Sequence, residues 1–219
     1  MNNSNLSRSI SFLVALTTLL FGLTSASALA DGLGNPKQFS VEMKMTGVAG
    51  EIAGQSMRMK FYVGEDRLRM EMMMEGSQDG GIHISQYEGD QVTSYMLIPQ
   101  MKMYMKSMGS EGDMEEEGPM LMFGSPDDAD HPCTADPETT CTKIGSDTHL
   151  GRAVDKYIVK DVEDGVPNES TIWFDRELLF PVKVEDRDGI MEAVAIEVGE
   201  QPDSLFEIPA DYREMDMPR

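Results

Sequence analysis

Thioether sulfurs are the most conspicuous chemistry in this sequence, with 20 methionines in 219 residues. Many stand two apart: Met43 and Met45, Met57 and Met59, Met70 and Met72, and Met101, Met103 and Met105 in "MKMYMKSM". Three uses compete. Thioethers suit a soft ion such as Cu(I). Long, polarizable side chains can also line a pocket that adapts to greasy ligands. Packing is the third use, though Val and Ile suit strands better than Met does. Sulfurs two apart on one strand start roughly 7 Å from each other, too far to share an ion. A copper site therefore needs convergence from neighbouring strands, or from Met114, Met120 and Met122 further on.

Other reactive side chains are sparse. His83, His131 and His149 are scattered, and no Ser, Cys or His sits in a recognisable nucleophile setting, so no enzyme is expected. His83, between Ile82 and Ile84 in "GIHIS", reads as an exposed residue on the polar side of a strand. Cys133 and Cys141 are the only cysteines. In an oxidising compartment they read as a disulfide closing a small loop. The alternative, a metal held with His131, matches no zinc spacing. No metal or cofactor is expected.

The ends and the charge narrow the setting. Arg8 is followed by the apolar run "ISFLVALTTLLFGL" and by Ala28-Leu29-Ala30. This is the pattern of a secretory signal peptide over residues 1–30, and the run is short for a membrane span, which takes about 20 residues. The expected product is residues 31–219, a single exported, periplasmic or secreted domain without a membrane span. Losing Arg8 leaves 17 basic against 39 acidic residues, a net charge of −22. Nucleic acid and anionic membrane surfaces would repel such a chain.

The elements that must position the methionines are strands. Phe39, Val41, Met43 and Met45 alternate with Ser40, Glu42 and Lys44. Met57, Met59, Phe61 and Val63 alternate with Arg58, Lys60 and Tyr62, and Leu68, Met70 and Met72 with Arg69 and Glu71. Period two predicts antiparallel strands with one covered and one wet face. Turns at "VGEDR", "YEGDQ", "EDGVPN" and "RDG" separate about ten such strands. Residues 107–142 differ, with ten acids, no Lys or Arg, and Pro119, Pro126, Pro132 and Pro137. They read as a long acidic excursion holding the disulfide, acting as a lid or merely solvated.

The order of phrases "FSVEMKM", "MKFYVGEDRLRMEM", "YMLIPQMKMYM", "IWFDRELLFPVKVEDRDG" and "SLFEIPADY" resembles an exported bacterial family of undefined function related to the LolA and LolB lipoprotein carriers. The resemblance covers about Phe39 to Tyr212. It implies a mainly β fold, a strongly curved antiparallel sheet forming an unclosed half-barrel, whose concave side holds acyl chains under helical lids. The carriers open with an amphipathic helix, whereas "DGLGNPKQ" has no helical pattern. The alternation and the resemblance together predict a cavity lined by Phe39, Met43, Met45, Met57, Met59, Phe61, Met70, Met72, Met101, Met103 and Trp173. Its ligand would be a hydrophobic small molecule, a lipid or a lipoprotein. The alternatives are a methionine-based copper binder and a structural module with an envelope protein as partner.

Overall fold

The computed structural model describes residues 37–47, 57–74, 80–89, 91–110, 139–163 and 166–215. Residues 1–30 and Cys133, and most of the acidic excursion, lie outside that set. The described residues form twelve strands: β1 (Phe39–Thr46), β2 (Met57–Val63), β3 (Arg67–Met74), β4 (Gly80–Glu88), β5 (Gln91–Ile98), β6 (Met103–Ser110), β7 (Thr140–His149), β8 (Arg152–Glu163), β9 (Val166–Asp175), β10 (Phe180–Glu185), β11 (Ile190–Val198) and β12 (Arg213–Glu214). They make one sheet in the order β12-β6-β5-β4-β3-β2-β1-β11-β10-β9-β8-β7. Every pairing is antiparallel except that of β12 with β6. The two end strands do not meet, so the sheet is an unclosed half-barrel.

Its curvature is measurable from side chains. Phe61 on β2 and Phe180 on β10 are three strand steps apart, about 14 Å in a flat sheet. Their ring centroids lie 5.5 Å apart, as do those of Phe39 and Phe180. His149 at the end of β7 donates from Nε2 to the carbonyl of Ala193 on β11 at 2.7 Å, across four strand steps. Contacts of this kind require the sheet to fold over the face that carries these rings. Register shifts at Glu42/Met43, Lys143/Gly145 and Pro181/Lys183 supply the local bends, because an extra residue in one strand kinks it and tightens its twist.

The concave face holds the main core. Phe39, Val41, Met43, Met59, Phe61, Val63, Leu68 and Met70 are buried there with Leu178, Phe180, Val182 and Met191. The opposite face is also covered over β2 to β6, contrary to the expectation of a wet side. Ile84 and Leu97 are buried against Phe206, with Tyr62, Ile82, Tyr95, Tyr104, Leu205 and Tyr212 packed around them. A short 3-10 turn at Asp203–Phe206 brings the C-terminal segment there. Arg69 donates to the Leu205 carbonyl at 2.8 Å, Gln86 donates to that of Phe206 at 3.2 Å, and the Arg67 guanidinium lies 4.9 Å from the Phe206 ring centre. Two further strands depart from expectation. β7 is a strand where little alternation predicts one, and both ends of the 107–142 stretch, through Ser110 and from Thr140, belong to strands.

Candidate functional site: the methionine face

The antiparallel register assembles the predicted residues into rows, since partners across a ladder share a face. One row runs Met43, Met59, Met72, Gly81. Its neighbour runs Val41, Phe61, Met70, His83, Met96, Met105. A third joins Met191, Met45, Met57 and Met74. Methionines scattered over the sequence thus meet on one surface.

That surface has a filled end and an open one. Phe39, Met43 and Phe61 have no exposed surface, and Met59 and Met70 are buried with them, so these five contribute to a packed core. Met45, Met57 and Met72 are only partly buried, packed on the margin of that core. Beside Met45 a cavity of about 180 Å³ opens between Val184, Ile190 and Met191, with Asp186, Asp188 and Gly189 at its mouth. The 186–189 turn is held by Asp186, whose carboxylate accepts from the N–H groups of Asp188 (2.7 Å) and Gly189 (2.9 Å). A Cβ on Gly189 would lie 2.2 Å from the Thr46 carbonyl oxygen, so glycine is what lets this turn close against the end of β1.

Three predicted residues are placed otherwise. Met101 is not on a strand: it sits in the turn before β6, 58% exposed. Met103 begins β6, half-buried and paired with Ile98. Trp173 is buried in the main core, but in polar company. Its Nε1 donates to Asp147 at 3.1 Å, and the ammonium groups of Lys156 and Lys183 each lie 4.4 Å from the ring centre. The hydrogen bonds from the Thr148 N–H and then from Trp173 hold the Asp147 carboxyl below its usual range.

His83 also corrects the sequence reading. Ile82 and Ile84 face the C-terminal segment, so His83 takes the methionine face, directly between Met70 and Met96. Its Nδ1 is buried with no hydrogen-bond partner among the described residues. Desolvation holds its pKa below the ordinary 6.5. The sign of the linkage follows. Below about pH 6.5 the unfolded chain gains a proton that the folded ring refuses, so stability falls with acidification until the lowered folded pKa is passed. The slope from this group is at most about 1.4 kcal/mol per pH unit. Chemical denaturation at stepwise pH should show His83→Leu with a shallower loss between pH 6.5 and 5 than the parent. Equal slopes would place the acid sensitivity elsewhere.

Comparisons with known proteins follow the course of the sheet. No family model and no curated protein matches the chain. Among solved structures, the complex of Pseudomonas aeruginosa MucA and MucB matches at 10% identity and TM-score 0.48, over 84% of this chain and 59% of that one. This chain therefore spans less than two thirds of that protein. A LolA superfamily protein from Nitrosomonas europaea matches at 10% identity and TM-score 0.34, over 81% and 94% of the two chains. The Mycobacterium tuberculosis lipoprotein LppX matches at 10% and 0.34, over 73% and 84%. Likeness at this level assigns no role to any residue. Among the described residues no helix is long and apolar enough to cross a membrane.

Proposed function

We propose that this is an exported protein that binds or carries a hydrophobic ligand, an acyl chain, a lipid or the lipid of a lipoprotein, at the open end of its concave face. The observation that supports the reading is the cavity beside Met45, Val184 and Met191; the partly buried Met57 is the cross-strand partner of Met45, and Met72 is likewise only partly buried. At about 180 Å³ it is close to the roughly 150 Å³ of an apolar cavity that takes up benzene. That is room for the end of an aliphatic chain, the remainder lying along the methionine margin. Methionine suits such a margin because its three rotatable bonds let one surface fit tails of different shape. The acidic mouth keeps anionic headgroups at a distance and leaves neutral or cationic ones favoured. Export and the Cys133–Cys141 bridge belong to the same reading, an oxidising compartment being where such a bridge persists.

Native mass spectrometry of protein taken from its own periplasm is expected to show bound masses in the lipid range. A fluorescent fatty acid amide should be taken up, and Met191→Trp, which fills the cavity, should weaken uptake about tenfold, as the loss of some 1.4 kcal/mol would. Circular dichroism checks that this variant keeps its sheet. A clean apo mass together with no uptake of the fluorescent ligand would overturn the proposal.

A further inference from the structure

Among the described residues no group of three His, Cys, Asp or Glu side chains could hold a metal ion. Thioethers widen the donor set. Met70 on β3 and Met96 on β5 are each register partners of His83 on β4, so the three form a row of donors on adjacent strands. Each methionine so placed starts about 5 Å from His83, and the two start roughly 10 Å from each other across two strand steps, flanking the imidazole. Each methionine–histidine pair is thus closer than the roughly 7 Å between same-face neighbours on a single strand, and the long methionine side chains converge on the ring between them.

Two further features bring the donors together. Gly81 lies two residues from His83 and therefore on the same face, leaving a gap in the row beside it. The Met96 sulfur reaches to 4.0 Å, and the terminal methyl of Met72 to 3.8 Å, from the point where a side chain at Gly81 would begin. Next to this gap, Nδ1 of His83 is buried without a hydrogen-bond partner among the described residues. An unsatisfied buried nitrogen is costly in a folded protein, and a metal bond would satisfy it.

We propose that His83, Met70 and Met96, with Met72 beside them, form a site for one soft monovalent cation, Cu(I). The donor chemistry selects the ion. Thioether and neutral imidazole are soft or borderline ligands, and the set carries no carboxylate to attract a hard divalent ion. A single positive charge held by neutral ligands also costs less to bury than a double one. The charged residues flanking Met70 in sequence, Arg69 and Glu71, stand in register with Ile84 and Ile82 and so belong to the opposite face.

The purified protein is to be titrated anaerobically with Cu(I) against a chromophoric Cu(I) chelator. One tightly held Cu(I) per chain is expected. His83→Leu and Met96→Leu should each weaken it by about tenfold or more, since even outer partners of a metal site are worth 10–100-fold. Met108→Leu, at an exposed position 66% open to solvent, should leave it unchanged. A second measurement does not depend on variants folding. With methyl-labelled methionine and Ag(I) as a redox-inert probe, the Met70, Met72 and Met96 methyl signals should shift while those of Met101 and Met108 stay. Non-stoichiometric uptake, an equal loss in Met108→Leu, or uniform movement of all methionine signals would overturn the proposal.

Discussion

Replacing Asp175 with alanine is expected to remove about 3–5 kcal/mol of folding stability, the cost of stripping one partner from a buried ion pair. Asp175 has no exposed surface, and its carboxylate is paired with Arg152 through both oxygens. The same carboxylate accepts from the N–H groups of Glu177 at 2.9 Å and Leu178 at 3.2 Å, which bends the chain between β9 and β10. Arg152 in turn reaches Glu177, and Lys37 meets Glu177 from the start of the described chain at 2.8 Å. Alanine would leave two amide donors and a guanidinium to find water in a closed site. Asp175→Asn can still accept the amide hydrogens but loses the charge, so it should fall between parent and alanine. Urea denaturation measures all three. A loss below about 1 kcal/mol for alanine, the value of an exposed pair, would show that water reaches this knot.

Phe180→Ala should cost a similar 3–5 kcal/mol, the usual range for deleting a buried aromatic side chain. Phe180 touches both Phe39 and Phe61 edge-on, so its removal empties the point where the two halves of the sheet meet. The matching change at the open end, Met45→Ala, should cost much less, because Met45 is only partly buried beside an existing cavity. Thermal and urea unfolding of both variants therefore map where the concave face is solid and where it is open. Equal costs at the two positions would contradict that division.

Period-two alternation carried the strands because each side chain on a pleated ladder declares its face. It failed where the cover comes from far away. Tyr62, Ile82, Ile84, Tyr95 and Leu97 are sheltered by Phe206, from a C-terminal segment roughly a hundred residues on, and nothing local reveals that partner. The same cover reassigns His83, since two flanking isoleucines look inward until something apolar is known to wait outside. Met101 was misplaced because the Met-Lys-Met-Tyr-Met rhythm runs unbroken through the turn at residues 99–102. Pro99 and the positive φ of Lys102, 51°, mark where the strand is interrupted. β7 went unread because an exposed edge strand buries almost nothing and so needs no alternation. For the candidate site, pairing of distant methionines was foreseeable in kind. The filling of half the concave face, and the gap at Gly81, depend on curvature that no single strand encodes.

The order of strands bears on when this chain can fold. β1, the first described strand, lies in the middle of the sheet and pairs with β11, about 150 residues later in the sequence. The segment that seals the outer face is later still. Contacts between such distant segments form slowly, because a long loop must be closed before any of them gains. A chain leaving a ribosome or a translocation channel N-terminus first can pair β1 with β2 early, but the other edge of β1 waits for β11 until nearly all of the chain has emerged. That topology acts as a timer: the β1–β2 ladder can form early, but the two halves of the sheet join only when β11 arrives.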